Sequence, residues 1–345
     1  MMKTVNTQQP VIRQVAIVGS GLAGLTAARR LQEAGTEVTV FEKSRGPGGR
    51  LAAKRVTGGS ADIGAQYFTI RNPRFREFLH QHAGEDVFAP WQGRLVCETA
   101  TGATEPFHSA LRYVGVPRMT AISRALAEGL TLHAGVRIAR MDRDSAGSWT
   151  LTDTAGEMFG PFDGVIFTAP PAQAYDLLHD SELSGLAAAI EPHLAGMQAC
   201  WTVVAHYPGS LGLGYQGVQS RDPVLGWAAN NSSKPGRDGD GEWWVLHGTP
   251  EWSHQNRDLS GEDVTRQLLT AFTRVCGVSA EPDELVSHRW LYARSVTAAG
   301  PGHLTDHRLA VGIVGDWLQG GRVEGAFDSA ESLIRDWREA GLVTR

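Results

Sequence analysis

Residues 15–24 read VAIVGSGLAG and residues 37–42 read EVTVFE. Val15 to Gly19 is a short β-branched run ending in glycine, which reads as a strand buried on both faces. Leu22, Leu25, Ala28 and Leu31 then recur at helical spacing as far as Ala34, with Gly35 as the stop. Glu37 to Glu42 alternates as a second strand. The order strand, tight turn, helix, strand places Gly19, Gly21 and Gly24 in the context that a G-x-G-x-x-G dinucleotide motif requires. Gly19 permits the turn, Gly21 lets backbone approach a pyrophosphate, and Gly24 lets helix and strand pack closely. The helix start, with Leu22 and Ala23, offers unpaired N–H groups and a positive dipole end to phosphates. Glu42, 18 residues beyond Gly24, is placed to accept both ribose hydroxyls of an adenosine, which disfavours a 2′-phosphate there.

The segment after Glu42 separates FAD from NAD. Lys43 to Arg50 (KSRGPGGR) is a second glycine cluster in which Gly49 passes beside the same pyrophosphate and Arg50 supplies a fixed cation. In Asp62 to Phe68 (DIGAQYF), Gly64, Ala65 and Gln66 are small or polar enough for backbone to lie against a flat ring. Near the C-terminus, Gly315-Asp316 follows a strand and Gly321 to Ala326 opens a helix. Arg322 and Val323 at that helix start would face the N1–C2=O edge of a flavin and stabilise charge gained on reduction. Ile138, on a hairpin strand, completes the cofactor set. No Cys or His lies in Gly64 to Phe68 or Gly320 to Ala326, so non-covalent FAD is expected.

A chain of 345 residues exceeds one core's usual size and predicts two domains. Apolar residues at 42% and charged residues at 20% mark a globular chain. A net charge of -5 without like-charge runs gives no field for nucleic acid or anionic membrane. Three scattered cysteines without a C-x-x-C pair argue against disulfides and zinc ribbons, and a cytoplasmic location is expected. No signal peptide or membrane span is read, and the first dozen residues are expected to form a loose tail.

Further strands are expected at Val136 to Met141 and Ser148 to Thr152 as a hairpin, and at Asp163 to Thr168. A tryptophan-rich middle follows, with strands at Ala199 to His206, Trp243 to Gly248 and Leu285 to Ala293. The chain then returns to a strand at Leu309 to Val314 and a helix from about Val323 to Ala340. The predicted fold is α/β (α+β): a Rossmann-type FAD domain from 1–70, 110–170 and 300–345, and a substrate domain on a mixed β-sheet from 71–109 and 171–299.

KSRGPGGRLAAKR (43–55), DIGAQYFTIR (62–71), RYVGVPRM (112–119), LGWAANNSSKPGRD (225–238), HRWLYAR (288–294) and VGDWLQGGRVEGA (314–326) together resemble the FAD-binding amine oxidase superfamily. They are most similar to its bacterial renalase-like branch. Glu42 stands where aspartate is common and Leu51 where methionine is expected. The resemblance implies oxidation of 2- and 6-dihydro isomers of NAD(P) to NAD(P)+, with hydride passing to flavin N5 and O2 reduced to H2O2.

That chemistry suits the residues. A dihydropyridine becomes an aromatic cation by losing hydride, so no general base is needed. There is no G-x-S-x-G elbow, and His80, His82, His303 and His307 lack a carboxylate-rich set, so no metal is expected. The substrate set is Tyr67, Phe68, Thr69, Arg71, Trp227, Trp290 and Tyr292, with Arg294 beside them: aromatic faces to hold a nicotinamide and arginines for its phosphates. Lys234 and Arg237 read as a solvated turn. Rival readings are a flavin amine oxidase and a non-catalytic FAD-binding protein.

Overall fold

Alternation and turn chemistry place the first elements where the sequence predicts them. The computed structural model describes residues 11–108, 110–296 and 300–344. Strand Gln14–Val18, helix Leu22–Glu33 and strand Glu37–Glu42 follow one another, and the helix ends at Ala34 before Gly35, whose φ of 79° suits a residue without a Cβ. Most of the expected tail, residues 1–10, lies outside the described residues. Its end is not loose, because Ile12 is buried and its N–H donates to the Leu342 carbonyl.

The chain divides into two units. The first comprises residues up to Gly49, Leu126–Gly196 and the chain from Val296 on. Its sheet runs Leu304–Asp306, Val311–Ile313, Gly164–Phe167, Gln14–Val18, Glu37–Glu42, Thr131–Ala134. All neighbours pair in parallel except Leu304–Asp306, which is antiparallel to Val311–Ile313. Parallel strands need both faces covered. Val15, Ala16, Ile17, Val165, Ile166 and Phe167 are accordingly all buried. Helix Leu22–Glu33 packs against Val323–Glu339, and an antiparallel sheet forms from Ile138–Arg143, Trp149–Asp153 and Met158–Phe162.

The second unit, Arg50–Ala125 and Met197–Ser295, is built on a seven-stranded mixed sheet. Its order is Glu284–Ser295, Met197–Tyr207, Glu242–Gly248, Leu225–Asn230, Gly217–Gln219, Leu95–Glu98, Thr104–Pro106. Helix Gly261–Cys276 buries Val264, Leu268, Ala271 and Phe272 against this sheet's apolar face. The α/β class, with a Rossmann-like sheet and a mixed sheet, is as expected.

The division differs from the expected one over three long stretches, and its last boundary falls at Val296 rather than at 300. Residues 50–70 fall in the second unit, because hairpin Ala53–Val56 and Gly59–Asp62 carries Val56, Ala61 and Ile63 into a cluster with Val204, Trp243 and Val245. Residues 110–125 follow, since Tyr113–Gly115 pairs with Phe88–Pro90. Residues 171–196 belong to the first unit, where helices Pro171–Asp180 and Ser184–Leu194 pack on each other and the former on strand Ile138–Arg143. Among the described residues, no helix is long and apolar enough to cross a membrane.

Candidate functional site

In the first unit the three motif glycines are required for different reasons. Gly19 has φ 112°, and a Cβ there would lie 2.3 Å from Thr168 Oγ1. A Cβ on Gly24 would lie 2.1 Å from the Gly19 carbonyl oxygen. Those two are internal packing needs. Gly21 is the exception: its φ of -70° and ψ of 176° suit any L-residue, and no atom lies within 4 Å of where a Cβ would stand. Neither backbone nor packing asks for glycine at 21, whereas close approach by an external group does. It caps helix Leu22–Glu33, whose first turn contains no acid and no side-chain cap, so a phosphate suits it. The second glycine cluster runs alongside. The Gly48 N–H donates to the Ser20 carbonyl at 3.1 Å, and a Cβ on Gly49 would lie 3.4 Å from Gly21 Cα.

Glu42 is buried and ties this turn together. Its Oε2 accepts from the Ser20 N–H at 3.0 Å and the Ser20 hydroxyl at 2.6 Å, and Oε1 accepts from the Ser44 N–H at 2.7 Å. A carboxylate has about four acceptor positions. Three are occupied, so a grip on both ribose hydroxyls requires the Ser20 hydroxyl to turn away. Elsewhere in the unit, Leu22, Ala23, Ile138 and Asp316 are buried. Lys43 donates to Gln173 Oε1 at 2.8 Å, and burial of its stem together with the nearby Arg137 lowers its pKa despite Glu42. A Cβ on Gly315 would meet Trp317 Nε1 at 2.5 Å. Arg322 is the exposed N-cap of helix Val323–Glu339, with Val323 as its first residue.

Arg50, Gly64, Ala65 and Gln66 lie in the second unit. The smallness of Gly64 has an internal cause, since a Cβ there would stand 2.1 Å from the Arg50 carbonyl oxygen, which itself accepts from the Ala65 N–H at 2.9 Å. Gln66 is buried, and its Nε2 donates to the carbonyls of Asp62 at 2.6 Å and Gly64 at 3.1 Å.

Tyr67 is half-buried within an aromatic group, with ring centroids 5.7 Å from Trp227 and 6.5 Å from Trp91. Trp227 lies 5.6 Å from Phe107, and the buried Arg112 guanidinium stands over Phe107 at 4.5 Å and Tyr67 at 5.2 Å. The Trp227 Nε1 and Arg112 Nε are buried without hydrogen-bond partners. Thr69 is half-buried and Arg71 exposed.

Phe68 does not join this group. Side chains alternate along an extended segment, so Phe68 points the other way and packs on Phe75, Phe88 and Tyr113 as core. Trp290 also has a structural task, donating Nε1 to the Ile63 carbonyl at 2.9 Å and packing beside Val56, Ala61 and Trp243. Tyr292, half-buried, follows on the same strand.

The expectation of a solvated turn at Lys234 and Arg237 is overturned. The Lys234, Arg237 and Asp62 side chains are 0%, 2% and 0% exposed. Lys234 Nζ donates to Asp62 Oδ2 at 3.1 Å, Gln66 Oε1 at 3.1 Å and Asn231 Oδ1 at 3.4 Å, and stands 5.5 Å from the Trp91 ring centre. Arg237 donates to Asp62 Oδ2 and to the Gly115 and Pro235 carbonyls, and the Met119 N–H donates to Asp62 Oδ1 at 2.9 Å. Burial pushes the Lys234 pKa down to about 8, Asp62 opposing and Arg237 assisting. Burial disfavours the Asp62 carboxylate, but the two cations and the Met119 amide outweigh it and lower its pKa. His247, opposite Trp227 across the sheet, is pushed down to about 4 by burial and by Lys234. The signals for this cluster were the Asp of DIGAQ and the two cations of SKPGRD, each in a family-specific stretch. Among the described residues, no group of three or more His, Cys, Asp or Glu is arranged to hold a metal.

Residues 17–82 match the NAD(P)-binding Rossmann-like domain family and residues 91–332 match the flavin containing amine oxidoreductase family. Among curated relatives, a 1-hydroxycarotenoid 3,4-desaturase of Flavobacterium sp. is 43% identical over 70 residues, covering 20% of this chain and 14% of that one. Coproporphyrinogen III oxidase of Mycobacterium tuberculosis is 28% identical over 191 residues, covering 52% of this chain and 39% of that one. The matches thus span well under half of these relatives. Among solved structures, one provisionally assigned as protoporphyrinogen oxidase from Exiguobacterium sp. 255-15 superposes with TM-score 0.72 at 15% identity, covering 94% of this chain and 98% of that one. Wild-type putrescine oxidase bound to putrescine gives TM-score 0.68 at 14% identity, with 94% and 98% covered. These two show the likeness of fold. The family match covers more than half of the chain, and with the glycine turn and mixed sheet it makes this protein a member of the flavin containing amine oxidoreductase family.

Proposed function

We propose that the protein is an FAD-dependent oxidase that converts the 2- and 6-dihydro isomers of NAD(P) to NAD(P)+. When bound, the flavin would supply a hydride acceptor at N5 with O2 as the final oxidant, so that dihydro-NAD(P), O2 and one proton from solvent give NAD(P)+ and H2O2. Gly19, Gly21, Gly24, Gly49 and Glu42 would hold the adenosine diphosphate portion without a covalent link. Tyr67 and Trp227 would stack on the dihydropyridine, and Arg50, Gly64, Ala65 and Gln66 would serve the flavin.

The observation that supports this substrate class is the sign of the buried charge. The Lys234, Arg237 and Arg112 side chains are buried in the second unit against two buried carboxylates, Asp62 and, paired with the exposed Arg274, Asp222. That surplus of positive charge suits an anionic dinucleotide and repels a cationic amine, whose recognition calls for carboxylates or aromatic faces free of competing cations. The Asp62 carboxylate is also spent on two cations and an amide, so it is no free base. Hydride loss from a dihydropyridine requires none. Carboxylate-bearing tetrapyrroles, the substrates that the mycobacterial relatives' name indicates, would meet the same charge and form the second reading. Steady-state peroxide formation with 2- and 6-dihydroNAD, coproporphyrinogen III and putrescine as separate substrates distinguishes the three.

A further inference from the structure

We propose that Lys234 is a positioning residue that fixes the Asp62–Tyr67 turn, and with it the Tyr67 ring, only while it carries its proton; this rests on Tyr67 serving the substrate as proposed above. The geometry gives the ammonium three acceptors and no donor: a carboxylate oxygen of Asp62, the amide oxygen of Gln66 and the amide oxygen of Asn231. Three acceptors match three N–H donors, so the protonated form is saturated. A neutral amine has two N–H donors and a lone pair, and must face one acceptor with nothing to give.

Gln66 cannot compensate by rotating its amide. Its Nε2 already donates to the carbonyls of Asp62 and Gly64, and a flipped amide would set oxygen against both. The side chain of Gln66 therefore closes the turn from within, and Lys234 holds its other end. The next residue is Tyr67, packed on Trp91 and Trp227. Trp91 also lies against the Lys234 ammonium. The charged and titratable groups facing Lys234 are Asp62 on the hairpin, Arg237 on its own loop and His247 on strand Glu242–Gly248. Arg237 opposes its charge, Asp62 favours it, His247 is neutral in this range, and burial brings the proton's release within reach of mild alkali. The proton goes to solvent, and the turn loosens.

The first test needs no substrate. The near-UV circular dichroism of the flavin-loaded protein, to which the packing of Tyr67, Trp91 and Trp227 contributes, is followed from about pH 6.5 to 9.5. A single transition near pH 8 is expected in the parent and none in Lys234→Met. A featureless parent titration, or a transition that persists in the variant, overturns the proposal. If Lys234→Met does not fold, Gln66→Met serves in its place, because it leaves Asp62, Lys234 and Arg237 paired but cuts the link to the turn; persistence of the transition there is equally fatal. The second test is the rate of flavin reduction by 2- or 6-dihydroNAD. Gln66→Met and Lys234→Met should each slow it about tenfold through lost placement, and the double variant should be no slower than either. Multiplied effects, or none, contradict a shared link. A parent that no dihydronicotinamide isomer reduces defeats the substrate reading, and the dichroism titration still decides the role of Lys234.

Discussion

Replacing Glu42 with alanine removes three hydrogen bonds before any ligand is considered. The Ser20 hydroxyl can rotate to another acceptor, but the Ser20 N–H is buried and the Ser44 N–H partly so, and both lose their partner. A buried donor left unsatisfied costs about 1–3 kcal/mol. With the partly exposed Ser44 at the low end, flavin-free Glu42→Ala should lose ~2–4 kcal/mol of stability. Flavin affinity should fall in addition by ~1–3 kcal/mol, a factor of roughly 5–150. Glu42→Gln, which keeps one acceptor oxygen, should lie between parent and alanine on both scales. Urea unfolding of the flavin-free proteins measures the first quantity and flavin titration the second. Parental stability in flavin-free Glu42→Ala would refute the structural part of the argument, and unchanged flavin affinity would remove Glu42 from the adenosine site.

Gly21→Ala and Gly24→Ala should separate ligand from fold. The first puts a methyl into open space at compatible dihedrals and should leave flavin-free stability intact while weakening flavin at least tenfold; the second drives a Cβ to 2.1 Å from the Gly19 carbonyl and should destabilise the flavin-free protein by ~1–3 kcal/mol or more. Equal behaviour of the two in urea and flavin titrations would contradict the assignment. His247 titrates near its ordinary value when unfolded but only at about 4 when folded, so the unfolded chain takes up the extra proton and stability falls as pH drops from about 6.5 towards 4, by up to roughly 3 kcal/mol. His247→Gln should flatten that part of the stability profile; if the profile is unchanged, His247 is not its source. Heat or acid precipitation should release the yellow colour into the supernatant, since neither ring-side segment contains Cys or His; colour retained in the pellet would mean a covalent flavin.

Local signals were legible because their causes are local. The spacing of Leu22, Leu25, Ala28 and Leu31 and the stop at Gly35 locate helix Leu22–Glu33, and alternation alone locates Glu37–Glu42. Tyr67 and Phe68 show the limit: both are aromatic and adjacent, yet one lies in a half-exposed aromatic group and the other in the core, because an extended chain sends neighbours to opposite sides. Lys234 and Arg237 sit in a Pro-Gly turn whose composition suggests solvent. What buries them is Asp62, 172 residues before Lys234 in the chain. Such a pairing is written in two distant stretches, each unremarkable alone. Residues 171–196 fall in the expected substrate domain by their place in the chain alone; helices Pro171–Asp180 and Ser184–Leu194 pack on each other, and the former on strand Ile138–Arg143, which puts them in the other unit.

Anaerobic rapid mixing of the flavin-loaded protein with 2- and 6-dihydroNAD, followed by flavin absorbance, tests the central claim most directly. Because no base has to take a proton from the substrate, the flavin should bleach with at least one isomer at a rate nearly constant from about pH 6 to 7.5, falling only as Lys234 loses its proton near pH 8. An unbleached flavin with both isomers, alongside bleaching by putrescine or coproporphyrinogen III, would contradict the account.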